Sequence, residues 1–365
     1  MIVVLLVFLA SSSCAPIESP TYIGPLVCSD ISCPSEIPGG PVINNTNFHL
    51  RDISVALAGD GFYYITGTST SAGDQYWSDV YGVIRMWRSP SLAPGSFEHG
   101  GVIAYNITRD CPSCSVTCRT PNTPSACPNG TCARVWAPEF HFIPEKAKDV
   151  PGSGGYFMTF HFHCSGGFSG VMASTTGTAF GPYTIINSGV SGGDVTLFRD
   201  PSDGSVYAAS SGNRIAASLL SQNMTTVLST FQLGAVCEVE CSHSMIGFEG
   251  TQLLYANASY FMCASAYGNQ TNHGGPQWPI LKNETVGSNI YYSTWCGRAD
   301  TLAGPFVDVT GDPGGWLSVP FGGHNTYFLD SVGSIFSTLW YGSSARDLPP
   351  ACVPFVDLPS IVRQK

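Results

Sequence analysis

The sequence predicts an all-β protein, a five-bladed β-propeller with a Cys-rich loop insertion. Three observations point there. A motif of two alternating apolar strands around a tight turn recurs five times along the 365 residues. Helical periodicity is nearly absent, and 41 glycines and 26 prolines break any long helix. The chain is also 43% hydrophobic and 12% aromatic, enough to fill a large core.

Composition excludes several classes of function. Charged residues make up 11% of the chain, where an ordinary globular protein has about 25%, so a long charged helix or coiled coil is ruled out. Intrinsic disorder needs lower hydrophobicity. The net charge of −10 provides no basic surface for nucleic acid.

Taken in order, residues 1–10 (MIVVLLVFLA) are an apolar run followed by Ser11, Ser12 and Ser13. This pattern predicts a signal peptide over 1–13 and a secreted protein. The run is too short for a membrane span, which needs about 20 residues. Residues 14–40 form an N-terminal segment with Cys14, Cys28 and Cys33, and 41–365 form the propeller. Seven N-x-S/T sequons, at Asn44, Asn106, Asn129, Asn223, Asn257, Asn269 and Asn283, fit a secreted glycoprotein. Fourteen cysteines in an oxidising compartment favour disulfides. The densest group, Cys111, Cys114, Cys118, Cys127 and Cys132, falls in an insertion over about 106–134. A zinc site is the alternative there, but no second C-x-x-C pair follows at finger spacing.

The repeats begin at Asp52 (DISVALAGDGFYYITGT), Glu139 (EFHFI, then GGYFMTFHF), Asp194 (DVTLF, then SVYAASSG), Glu249 (EGTQLLYANASYFMCASA) and His324 (HNTYFLDSVGSIFSTLWYG). The turns Gly59-Asp60-Gly61 and 199–204 (RDPSDG) read as hairpin loops. A second strand pair follows most copies, in 83–98, 170–184, 212–220 and 289–308, giving about four strands per unit. The last blade is expected to close through an N-terminal strand such as Pro41-Val42-Ile43.

In a propeller, the inner strand of each blade lines the central channel. Asp52, Glu139, Asp194, Glu249 and His324, all at repeat starts, would therefore converge on one pocket. Gathering carboxylates is costly because like charges raise one another's pKa. A glycoside hydrolase needs such an arrangement, with one carboxyl protonated as acid and another ionised.

Five motifs carry a family resemblance: H-L-R-D-I-S at 49–54, V-W-A-P-E at 135–139, G-D-V-T-L-F-R-D-P-S-D-G-S-V-Y at 193–207, F-E-G-T at 248–251 and G-H-N-T at 323–326. Together, over roughly 47–345, the chain resembles glycoside hydrolase family 43, the five-bladed enzymes that act on arabinose- and xylose-containing polysaccharides. The resemblance implies an inverting hydrolase of O-glycosidic bonds. Asp52 matches the general base, Glu249 the general acid and Asp194 the third carboxylate that tunes the acid. His324 matches an axial histidine, which in many members lies near a bound calcium or a water cluster. Substrate contacts are expected from Trp136, Glu139 and His324. Trp136 has two readings, a sugar-stacking face or packing under the blade. An inverting pair should stand about 6.5–9.5 Å apart. No cofactor is required by this reading, and a calcium ion at the axis is the one metal it implies. The partner is an oligo- or polysaccharide. Three positions depart from the family pattern, with Ile53, Val195 and Thr251 where Pro is usual.

Other readings compete with this one. The related sucrose- and fructan-cleaving propellers retain configuration; Arg199-Asp200-Pro201 imitates one of their motifs, but it lies in a turn. No G-x-S-x-G elbow supports a serine hydrolase. An inactive, lectin-like propeller fits the cysteines and sequons equally well. Against it stand three intact carboxylates, since a pure binder would be expected to lose at least one.

Overall fold

The computed structural model describes residues 48–71, 83–91, 97, 101–110, 134–163, 168–212, 215–236, 249–256, 258–267, 292–308, 316–317, 324, 326–329, 335–339 and 351–353. The fold is an all-β propeller. Blade one is an antiparallel sheet of β1 (Phe48–Leu57), β2 (Tyr63–Ser71), β3 (Val83–Ser89) and β4 (Val102–Asn106). Blade two holds β5 (Arg134–Phe142), β6 (Tyr156–His163), β7 (Ser169–Ser174) and β8 (Tyr183–Val190). Blade three holds β9 (Gly193–Arg199), β10 (Val206–Ser211), β11 (Ala216–Leu220) and β12 (Val227–Gln232).

Blade four is larger. Its sheet runs β13 (Ala235–Val236), β17 (Phe306–Asp308), β16 (Tyr292–Ala299), β15 (Ser259–Tyr267), β14 (Glu249–Ala256), with β18 (Trp316–Leu317) also on β16. A C-terminal sheet has three strands, β19 (Tyr327–Leu329), β20 (Ile335–Leu339) and β21 (Ala351–Val353).

The five-blade expectation is therefore corrected in one respect: four complete blades are described. The fifth repeat forms a sheet of short strands without a fourth member among the described residues. Pro41-Val42-Ile43, the strand expected to complete it, lies outside the described residues, as do the signal peptide, the 14–40 segment and the Cys-rich stretch 111–133. Only a single helical turn, Ile107–Asp110, is described at the start of that insertion. Among the described residues no helix is long and apolar enough to cross a membrane.

The turns form for local reasons. At Ala58–Phe62, Asp60 accepts the Phe62 N–H at 3.1 Å and Gly61 takes a positive φ of 81°, closing the β1–β2 hairpin. At 200–205, Asp200 accepts the Ser202 N–H, and Gly204 at φ 76° closes the loop between β9 and β10. The Arg199-Asp200-Pro201 segment is thus the end of a strand and a turn, as the sequence indicated.

Inner strands lie side by side around the axis. β1 packs against β5, β5 against β9, β9 against β14, and β19 against β1. Blade four meets the C-terminal sheet where the His324 N–H donates to Ser265 Oγ at 2.6 Å. The core fills the wedges between blades. Tyr64, Met86 and Tyr105 of blade one meet Phe140, Met158 and Phe160 of blade two. Val171 and Phe157 meet Val195, Leu197 and Val206. Phe198 and Ile215 meet Met262, Leu302 and Phe306. Burial of each such side chain contributes about 1.5–3 kcal/mol, which fixes the blades against one another. A disulfide, Cys263–Cys296, joins neighbouring residues of β15 and β16.

Candidate active site

The axial ends of the inner strands share a backbone feature that the sequence conceals. Asp52 (φ 52°), Ala137 (44°), Asp194 (46°), Gly250 (56°) and His324 (52°) all occupy the left-handed region. In all four complete blades the strand register slips there, between Arg51 and Ser54, Trp136 and Glu139, Gly193 and Thr196, and Glu249 and Gln252. These are bulges, which re-aim side chains out of the ladder. Left-handed non-glycine residues cost of order 1–3 kcal/mol and persist where packing enforces them.

This corrects the alignment of the repeats. Asp52, Ala137, Asp194, Gly250 and His324 are the equivalent positions, so Glu139 lies two residues beyond its own bulge and Glu249 one residue before. Asp52 and Glu139 also sit within long strands, not at their starts, because β1 and β5 begin several residues earlier. The pattern was readable only if the left-handed residue, and not the first carboxylate, was taken as the anchor.

The carboxylates nevertheless converge. His324 Nδ1 lies 3.5 Å from Asp52 Oδ1 and 3.8 Å from Asp194 Oδ2. Burial works to lower the His324 pKa, but Asp52, Asp194, Glu139 and Glu249 together raise it above the ordinary value. Four acids from blades one to four thus act on one buried imidazole that precedes the C-terminal sheet. Gly250 makes this approach possible: a Cβ there would stand 2.7 Å from both the Cα and the Cγ of His324.

Each acid is held by neighbours. Thr68 Oγ1 donates to Asp52 Oδ2 at 2.7 Å and accepts the Ala137 N–H at 2.8 Å. Since that backbone donor occupies the Thr68 oxygen, the hydroxyl proton is directed to the carboxylate. Asp194 Oδ2 accepts the Gly250 N–H at 3.3 Å, tying it to the residue that follows Glu249. Glu249 is half-buried and opens β14 opposite Ser265.

Side-chain exposure divides the acids. Asp52 and Asp194 are 15% and 16% exposed, whereas Glu139 is 2% exposed. Glu139 belongs to a deeper ring of buried polar residues, Ser54, Glu139, Thr196, Gln252 and Thr326, each two positions past its left-handed residue. Gln252 Nε2 donates to Glu139 Oε1 at 2.6 Å, and Thr196 Oγ1 donates to Gln252 Oε1 at 3.5 Å. The expected sugar contact through Glu139 gives way to contacts with protein groups, because its bulge comes two residues earlier than the sequence pattern placed it. Burial pushes its carboxyl up to about 8, against the opposing charge of His324 and the hydrogen bond from Gln252.

Trp136 is half-buried just before the bulge of β5, its ring 6.5 Å from that of His161. His161 is placed by Ser169, which donates to the Gly192 carbonyl and so accepts from His161 Nδ1 at 2.7 Å. Sequence reading missed Thr68, His141, His161 and Gln252. For His141 and Gln252 the signal is the two-residue alternation beyond the left-handed position; Thr68 and His161 lie on the neighbouring strands, opposite Arg51 and Trp136.

The calcium implied by the resemblance was tested against these residues. Calcium takes about six to eight oxygen ligands. Among the described residues no group of three or more His, Cys, Asp or Glu is arranged for a metal. His324 turns Nδ1 to two carboxylates, and among the described residues its buried Nε2 has no hydrogen-bond partner. One nitrogen is not a hard-cation cage, so these side chains do not fit a directly ligated calcium.

Of the departures from the family pattern, Thr251 has a clear consequence. Its N–H donates to Ser211 Oγ at 3.2 Å, a bond that Pro could not make, and its hydroxyl pairs with the same atom at 2.8 Å. Blades three and four are joined there.

No protein-family model matches the chain, and no curated protein does. Solved structures do. The chain is similar to a thermostable family-43 glycoside hydrolase, with a TM-score of 0.50 at 18% identity over 80% of this chain and 83% of the other. It is similar to an endo-arabinase from Bacteroides thetaiotaomicron, with a TM-score of 0.57 at 16% identity over 87% and 96%. It is also similar to the native arabinanase of Bacillus subtilis, with a TM-score of 0.52 at 15% identity over 83% and 93%. At these identities the likeness is one of architecture. The chain has a glycoside hydrolase family 43-like fold.

Proposed function

We propose that the protein is a secreted glycoside hydrolase that cleaves arabinose- or xylose-type polysaccharides with inversion. The observation that carries this reading is the convergence of Asp52, Asp194 and Glu249 on His324 from separate blades. In this reading Glu249 gives its proton to the departing glycosidic oxygen as the C–O bond breaks. Asp52 takes a proton from a water whose oxygen attacks the anomeric carbon from the opposite face. Thr68 orients Asp52, and Asp194 orients Glu249 through the Gly250 N–H. Trp136, beside His161, offers a face for a sugar ring. The same reading takes the C-terminal sheet as the fifth blade, supported by its left-handed His324 and its packing of β19 on β1.

The test is hydrolysis of a panel of nitrophenyl glycosides and plant polysaccharides, with Glu249→Gln in parallel. Turnover of an arabinoside or xyloside that disappears in the variant is expected. Tight binding of one glycan without turnover by the wild type would replace this reading with a lectin-like one.

A further inference from the structure

The deeper ring holds one acid that the proposed chemistry does not use. Glu139 lies between two partners of fixed polarity. Its Oε1 accepts from Gln252 Nε2, whose own oxygen is oriented by the Thr196 hydroxyl. Its Oε2 faces His141 Nε2 at 3.6 Å. That nitrogen accepts the Leu197 N–H at 3.3 Å, so it presents a lone pair and the imidazole carries its proton on Nδ1. Burial pushes His141 down to about 3, in keeping with a neutral ring. An ionised Glu139 would set two lone pairs against each other in a dry interior. A protonated one removes the negative charge that would face that nitrogen across 3.6 Å.

The span of these contacts gives the acid a task. Gln252 stands three residues beyond Glu249 on β14, and Leu197 three residues beyond Asp194 on β9. From blade two, Glu139 reaches blade four directly and blade three through His141. We propose that Glu139 is a positioning residue, a neutral carboxylic acid that braces the strands carrying Asp194 and Glu249 from beneath the site. Its place beneath the catalytic acids rests on the proposed hydrolase; the neutral brace does not. Keeping this group uncharged also keeps a further anion away from Asp194, which faces it from β9.

Three measurements on the full chain test it. The first is infrared spectroscopy at pH 7, where the protonated-carboxyl region should lose one component in Glu139→Gln, whatever Glu249 contributes. Persistence of the same spectrum in the variant would show that Glu139 is ionised and overturn the proposal. The second is thermal unfolding against pH. A buried acid that keeps its proton up to about 8, from an ordinary value of 4.5, makes the folded state lose stability as pH rises through that window. His141, held down to about 3, has the opposite slope up to 6.5 and offsets Glu139 there. Above 6.5 only Glu139 and His324 are left of these three groups, and both lose stability. Glu139→Gln, whose amide oxygen still accepts from Gln252 and which carries no titrating proton, should therefore melt progressively higher than the wild type from pH 6.5 to 8. Parallel curves would count against a neutral acid. The third is kinetics. Glu139→Ala should lower kcat at least tenfold with KM changed less than threefold, and Glu139→Gln should restore most of kcat. Unchanged kcat in Glu139→Ala would remove the positioning role. A wild type without glycosidase activity would defeat the proposed hydrolase, while the first two measurements would still decide the brace.

Discussion

Two rings of side chains stand on the same inner strands, two residues apart, and they differ in kind. The upper ring, at or beside the bulges, holds Asp52, Asp194, Glu249 and His324, and its acids are partly open to solvent. The lower ring, Ser54, Glu139, Thr196, Gln252 and Thr326, is closed and hydrogen-bonded between blades. Thr326 Oγ1, for example, donates to the Ile53 carbonyl at 2.7 Å, joining the C-terminal sheet to blade one. The same residue type therefore takes different roles. The acids of the upper ring meet solvent and hydrogen-bond donors, whereas burial in the closed ring favours the neutral form of Glu139. The lesson is that depth along the strand, set by the bulge, divides chemistry from support.

Breaking the upper ring should have the largest effect. Asp52→Asn and Glu249→Gln should each lower kcat by about 10²–10⁴-fold. Their melting temperatures should stay near that of the wild type, as calorimetry would check. Near-normal turnover in either would remove the role assigned to that acid.

The staple in blade four comes next. Reduction of Cys263–Cys296, or its replacement by Ala at both positions, should destabilise the protein by about 2–4 kcal/mol. Denaturant unfolding with and without reductant measures this, and coincident curves would refute it.

The contact between the rings' frame and the imidazole is sharper still in its geometry. Gly250→Ala forces a Cβ onto His324 at a left-handed position, so a loss of about 1–3 kcal/mol is expected. The same variant should lose activity beyond its loss of stability, because His324 must move from Asp52 and Asp194. Full activity at a temperature where the variant is folded would show that His324 has no part in placing those acids.

An effect no larger than that at Gly250 is expected at Thr68. Thr68→Val leaves the Ala137 N–H unpaired and removes a donor from Asp52, for about 1–3 kcal/mol. Thr68→Ser should recover most of it. Equal melting temperatures for Val and Ser would mean that water replaces the hydroxyl without cost.

Part of this was legible in the chain. The hairpins at Gly59-Asp60-Gly61 and 199–204 were readable because Asp and Gly satisfy turn geometry locally. The three acids were readable because each opens a repeat. The equivalence of Glu139 with Asp52 was misread. A carboxylate is visible in a sequence, but the left-handed Ala137 that sets the register has no compositional sign. His141 was hidden for a related reason: its tautomer depends on a backbone N–H from Leu197, on another blade.

The sequence by itself determined the all-β architecture, the repeat and the acids available, because alternation, turn residues and composition act locally along the chain. Only the tertiary structure decided which acids share the axis and which is sealed beneath it. That division depends on bulges and on contacts between blades tens of residues apart, where burial and neighbouring charge, and not residue type, set the protonation state.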